Sequence, residues 1–406
     1  MTEKSIQRFF APCPRGLEAV LAGEMAELGA ADIVAAEGGV GFSGQMVLAY
    51  AANLHSRIAS RILLQVGSGR YRSEEDVYRG VNALDWPQLF DGTLTIRVNV
   101  AAVRSPLNSL DFITLRIKDA VCDKFRTQTG VRPSVDTAQP DVRIHAFLET
   151  ERFTLYLDTS GEPLFKRGAR QMTGEAPLRE NLAAGILMLS GWTPNLPLLD
   201  PMCGSGTFLI EALQIAHGIA PGAERDFAFE KLRGFDAEQW DRMKALAEAQ
   251  PAPNPSPAIF GSDLYGEALK LARVNLAAAG FADAATLKQA NMLEISAPGA
   301  EGVLVANPPY GVRLGEQDEL AGFYPQMGDV LKKKFAGWRA YVFTADLRLP
   351  KLIGLSPSKR TPLYNGALEC RLYEFKMVSG AMRREKQGLE EVQGLGARGK
   401  IKNGKD

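Results

Sequence analysis

Apolar residues along this chain follow two different patterns. In the first part, short alternating runs are separated by amphipathic stretches. Ile6 to Ala11 reads as a strand, Gly16 to Gly29 as a helix with a glycine past its end, and Ile33 to Phe42 as two short strand-like pieces around Gly38-Gly39. Met46 to Asn53 predicts a helix, Ser60 to Gly67 a strand, Glu74 to Val81 a helix, Leu94 to Ala102 a half-buried strand and Phe112 to Thr129 a long amphipathic helix. Val142 to Glu149 and Arg152 to Asp158 predict two strands joined by a tight turn. This part is α+β.

Further on, short apolar runs alternate regularly with helical stretches, the mark of an α/β domain with a mostly parallel sheet. Leu178 to Leu189 predicts a helix. Leu198-Leu199 is a buried strand stopped by Asp200-Pro201, and Thr207 caps a helix over Phe208 to Ala216. Ile259 to Asp263, Thr286 to Ala290, Gly302 to Ala306 and Arg339 to Ala345 read as strands, with helices over Gly266 to Ala279 and Leu320 to Phe335. Asn365-Gly366 is a hairpin signal, so the sheet is expected to close with an antiparallel pair. The expected divisions are 1–43, 44–160, a linker over 161–176, an α/β domain over 177–377 and a disordered basic tail over 378–406. Residues 250–257 are a Pro-rich loop, and no internal repeat is present.

Composition removes several possibilities. With 47 basic and 47 acidic residues, no net charge draws the chain to nucleic acid, and any such surface must come from how charge is distributed. The candidates for an RNA contact are Arg70, Arg72, Lys166, Arg167 and Arg170; an ordinary solvated mixed-charge surface accounts for them equally. Four scattered cysteines and three isolated histidines argue against a disulfide framework or a metal site. No signal-peptide core and no long apolar run is present, so a cytoplasmic protein without a membrane partner is expected.

The chemistry concentrates at two strand ends. After Leu199 comes Asp200-Pro-Met-Cys-Gly-Ser-Gly-Thr207, a glycine turn between a strand and a helix. A dinucleotide site would place pyrophosphate there, which Asp200 would repel. A carboxylate at that point suits an ammonium group, as on a methionine-derived ligand. Asp263 ends the next strand, where a ribose diol needs an acceptor. The two together favour S-adenosylmethionine (SAM) over NAD. Asn307-Pro308-Pro309-Tyr310 ends a later strand. The Asn307 carbonyl and the Pro308 main-chain carbonyl can accept both protons of an exocyclic base amine. The two prolines stiffen the loop, and Tyr310 offers a stacking face for an extruded base.

These motifs, in this order, resemble the class I SAM-dependent methyltransferases that modify amino groups of nucleic-acid bases. The resemblance extends over roughly residues 5–376. Phe9 to Glu18 and the elements through Asp158 look like a ferredoxin-like plus THUMP RNA-binding arrangement. Pro177 to Ala184, Asp200 to Thr207, Asn307 to Gly311 and Leu363 to Cys370 are similar to the bacterial 23S rRNA guanine-N2 methyltransferase family, whose members are often labelled N6-adenine-specific DNA methylases. The resemblance implies a Rossmann-like, seven-stranded catalytic domain. It implies SAM contacts from Asp200, Pro201, Gly204, Ser205, Gly206, Thr207, Asp263, Leu264, Asn291, Met292 and Asn307. It also implies 23S rRNA or a large-subunit precursor as partner, with no metal and no obligate protein partner. Asn291 stands where the family usually has Asp, and Val312 where Glu is expected.

Two other readings stay open on sequence alone. Adenine-N6 methylation of DNA or RNA would use the same tetrapeptide. An RNA-binding assembly factor with an inert domain would need neither strand-end motif.

Overall fold

The computed structural model describes residues 5–167, 178–309 and 316–378. Arg170, Tyr310, Val312 and residues 379–406 lie outside the described residues.

The N-terminal half contains β1 (Gln7–Pro12), α1 (Glu18–Glu27), β2 (Ala31–Ala36), β3 (Gly39–Gly44), α2 (Met46–His55), β4 (Leu63–Arg70), α3 (Glu74–Asn82), β5 (Ile96–Ala102), α4 (Leu110–Thr129), β6 (Val142–Leu148) and β7 (Arg152–Asp158). The strands form one seven-stranded sheet in the order β2-β3-β1-β4-β7-β6-β5. Its pairings are antiparallel except β5 with β6. Strand β4 joins the first hairpin to the rest, pairing β1 on one side and β7 on the other. Helix α3 starts on a capping box between Ser73 and Asp76. Helix α4 starts on the Ser109 hydroxyl and ends at Gly130, whose φ of 73° is the left-handed stop a glycine permits.

The C-terminal half contains α5 (Glu180–Ser190), β8 (Leu198–Asp200), α6 (Thr207–Ala216), α7 (Ala237–Glu248), β9 (Ile259–Asp263), α8 (Gly266–Ala278), β10 (Thr286–Gln289), β11 (Gly302–Ala306), α9 (Glu316–Lys334), β12 (Trp338–Thr344), α10 (Leu349–Leu352), β13 (Lys359–Asn365) and β14 (Leu368–Lys376). A second seven-stranded sheet runs β10-β9-β8-β11-β12-β14-β13. The first five strands of that order are parallel, and β14 runs antiparallel to both its neighbours. The chain order reverses at β8, so the crevice beyond the carboxyl ends of β8, β9 and β11 is the topological switch point.

Most expected elements stand within a few residues of their predicted limits. The strand expected from Ser60 starts at Leu63, because Ser60 serves the junction between halves: its N–H donates to the Pro12 carbonyl and its own carbonyl accepts from Leu164. Helix α6 is entered through Gly206 rather than capped by Thr207; Gly206 has φ 83° and no side chain caps the helix. Helix α7 was not expected; the Asp236 carboxylate starts it by accepting from the Gln239 N–H. The two halves share one apolar core. Gly185 of α5 lets Leu17 pack so closely that a Cβ there would lie 2.4 Å from the Leu17 side chain.

Candidate functional site

Asp200, Asp263 and Asn307 reach the switch point from the ends of β8, β9 and β11 because each of these strands is a buried apolar run followed by a polar stop. Asp200 ends β8 and is 2% exposed. Its Oδ1 accepts from the Met202 N–H at 3.1 Å, which folds the chain back into the glycine turn. Burial, and next the neighbouring Asp263, push its carboxyl up to about 8. No Lys or Arg pairs with Asp200 among the described residues. This is a buried acid without a counter-charge, and a cationic ligand would relieve it.

Asp263 ends β9 and is 9% exposed. Its Oδ2 accepts from the Gly204 N–H at 3.0 Å and its Oδ1 from the Tyr265 N–H at 3.0 Å. Each oxygen keeps a lone pair for a diol hydroxyl. The turn is tied down further: the Cys203 N–H donates to the Ser262 carbonyl, and the fully buried Asn275 amide of α8 donates to the Ser205 carbonyl at 3.0 Å. Asn275 was missed on sequence; the signal was a polar residue at the helical spacing of the apolar face formed by Leu269, Ala272 and Leu276. The Cys203 thiol is pushed up by burial and by both acids, which makes it inert.

Gly206 approaches α8 closely. A Cβ there would lie 3.3 Å from the Ala272 Cβ, at a φ of 83°. With no side-chain cap, the first-turn N–H groups of α6 have no acceptor within the helix, which suits a ligand carboxylate. Gly204 also has positive φ, 52°, but faces open space.

Leu264 is exposed at the β9 tip, whereas Met292 is 3% exposed and lies in the apolar cluster with Leu199. Asn291 follows β10, which is held against β9 by the Ala290 N–H on the Asp263 carbonyl. One lone pair of its Oδ1 is already taken by the Leu293 N–H.

Asn307 follows β11, whose five residues are all buried between β8 and β12. Its Oδ1 is buried and has no hydrogen-bond partner among the described residues, an acceptor set next to the switch point with its demand unmet. Pro308 is buried and Pro309 exposed. Tyr310 lies outside the described residues.

The RNA-contact candidates separate. Arg70 and Arg72 are exposed at the end of β4 and before α3. Lys166 is exposed and pairs with Glu162. Arg167 is a correction. Its side chain is 4% exposed, ion-paired to Glu211 of α6 (1% exposed), and it donates to the Arg57 carbonyl. It locks the connector to the catalytic half and is not available to RNA. Arg170 lies outside the described residues. Among the described residues there is no group of three or more His, Cys, Asp or Glu poised for a metal, and no helix long and apolar enough to cross a membrane.

A reversed parallel sheet with an antiparallel closing pair, a glycine turn under two strand-end acids and an Asn-Pro-Pro loop define a class I SAM-dependent methyltransferase. Comparison with known proteins narrows this. Residues 167–374 match the RMKL-like methyltransferase domain, residues 71–158 the THUMP domain and residues 8–63 the RlmL ferredoxin-like domain. The chain belongs to this RMKL-like family of THUMP-containing RNA methyltransferases. It is 39% identical to a Synechocystis protein named as an RNA methyltransferase, over 91% of this chain and 96% of that one. It is 39% identical to the ribosomal RNA large subunit methyltransferase K/L of a Shewanella species, over 94% of this chain but 55% of that protein. The chain thus spans about half the length of its K/L relatives. Among solved structures, SMU.472, described as a methyltransferase complexed with SAH, superposes with TM-score 0.83 at 34% identity, over 93% of this chain and all of that one. A Listeria monocytogenes protein described as an N6-adenine-specific DNA methylase superposes with TM-score 0.83 at 29% identity, over 92% and 97%.

Proposed function

We propose that this chain transfers a methyl group from SAM to the exocyclic N2 of a guanine in large-subunit (23S) ribosomal RNA, with the base flipped into a pocket formed by Asn307, Pro308, Pro309 and Tyr310. The observation that carries this reading is the buried, unpartnered Asn307 Oδ1 at the strand end beside the glycine turn.

The residues present fit the cofactor. Asp200 would hold the cationic methionine end, the free N–H groups of α6 its carboxylate, and Asp263 the ribose hydroxyls. SAM supplies an electrophilic methyl on a sulfonium. A base amine conjugated to its ring is a poor nucleophile. Asn307 Oδ1 and the Pro308 carbonyl would accept its two N–H bonds, hold the nitrogen in line and raise its electron density. The N–C bond would form as the S–C bond of the sulfonium breaks, leaving a neutral thioether, and one amine proton would leave to water; no strong base is needed. The rRNA substrate is supported by the THUMP match and by the names of the K/L relatives. Adenine N6, the activity ascribed to the Listeria relative, is the second reading, because the same two acceptors suit it.

Asn307→Ala tests the pocket. The expected result is loss of methyl transfer by at least about a hundredfold with SAM affinity kept within about threefold, since the group acts on the transition state. Turnover at the wild-type rate would remove Asn307 from the mechanism.

A further inference from the structure

Two arginines converge on the tip of the β13–β14 hairpin, and the pocket chemistry uses neither. Strand β13 runs parallel to β12, because both are antiparallel to β14. Its end at Asn365 is therefore on the same edge of the sheet as Asp200, Asp263 and Asn307. Arg15, from the loop between β1 and α1, lies over the Tyr364 ring at 4.2 Å. Arg179, just before α5, lies over the Phe165 ring at 4.9 Å, and its Nη2 is 3.8 Å from where a Gly366 side chain would begin.

The approach is built in. Gly16 has φ 94°, and a Cβ there would sit 2.2 Å from the Pro362 carbonyl oxygen. Glu18 fixes this turn by accepting from the N–H groups of Gly16 and Gly38. Among the described residues Arg179 has no carboxylate partner, and Arg15 pairs only with Glu37, which is 74% exposed. Stacking on an aromatic face fixes each fork and leaves its N–H edge for a phosphate.

We propose that Arg15 and Arg179 form a phosphate clamp that grips the single-stranded RNA backbone next to the flipped base, at the junction between the N-terminal and catalytic halves. This rests on the RNA-methyltransferase reading and deepens it. The partner is the phosphodiester, so the clamp contributes position and affinity and no base choice.

The test uses the full chain and an unmethylated 23S rRNA fragment, with binding measured across a salt series. Arg15→Gln and Arg179→Gln are each expected to weaken RNA binding about tenfold and to lower the log–log salt slope by about 0.7, with SAM affinity unchanged. Arg179→Lys should restore the slope, because the charge returns. Lys270→Gln, on the exposed outer face of α8, serves as control. Glutamine variants with the wild-type slope and affinity, in a protein that still methylates RNA, would overturn the clamp alone. Wild-type protein that neither binds nor methylates RNA would overturn the clamp and the substrate reading together.

Discussion

Asp263 Oδ2 accepts a hydrogen bond from the Gly204 N–H at 3.0 Å, so the second acidic strand end holds the glycine turn that follows the first. One carboxylate shapes the turn and offers its remaining lone pairs to the ligand. Asp263→Ala removes both roles and is expected to weaken SAM binding by about a hundredfold, whereas Asp263→Asn, which keeps one acceptor, loses about tenfold. Isothermal titration separates them; equal losses would mean that the charge, not the acceptor geometry, matters.

Asp200 gives a pH signature. Its carboxyl is raised to about 8 by burial and by Asp263. A group whose folded pKa lies above its unfolded value favours the fold while protonated, so its contribution is full at low pH and fades as pH rises toward 8. A cationic ligand prefers the ionised form. SAM affinity should therefore rise with pH between 5.5 and 7.5, by up to about tenfold per unit, with release of about one proton on binding. Titration in buffers of different ionisation heat counts that proton. In Asp200→Asn the pH dependence should flatten.

The two turn glycines should not respond alike. Gly206→Ala forces a side chain to φ 83° and to 3.3 Å from Ala272, so a cost of about 1–3 kcal/mol and near-complete loss of SAM binding are expected. Gly204→Ala meets open space at φ 52° and should cost about 1 kcal/mol. Thermal melts with and without SAM compare them.

The Arg167–Glu211 pair should behave as a buried ionic lock. Next to it, burial and then Arg167 pull Arg57 down to about 10. Glu211→Ala leaves the Arg167 guanidinium buried without its carboxylate partner and should destabilise by about 3–5 kcal/mol. Arg167→Met with Glu211→Leu should recover most of that loss. A denaturant series reads both, and a double variant as unstable as the single would show that the charges do more than pair.

The strand ends were legible because each is a short apolar run stopped by a polar residue. That is how Asp200, Asp263 and Asn307 stood out. The hairpin at Asn365-Gly366 was legible for the same local reason. The N-terminal sheet was less so. Its continuity depends on β4 pairing both β1 and β7, and residue spacing carries no record of distant partners. Arg167 was misjudged on the same account: a basic residue in a connector reads as exposed, and only the fold brings Glu211 to it. The closeness of Gly16 to Pro362 likewise joins opposite ends of the chain.

The central claim is tested most directly by methyl transfer from labelled SAM to 23S rRNA lacking this modification, beside unmethylated DNA, followed by digestion to nucleosides. Label in N2-methylguanosine from the RNA is the predicted result. Label in N6-methyladenine would keep the fold and cofactor but contradict the base assignment. Absence of label in either, with SAM bound, would contradict the proposed substrate.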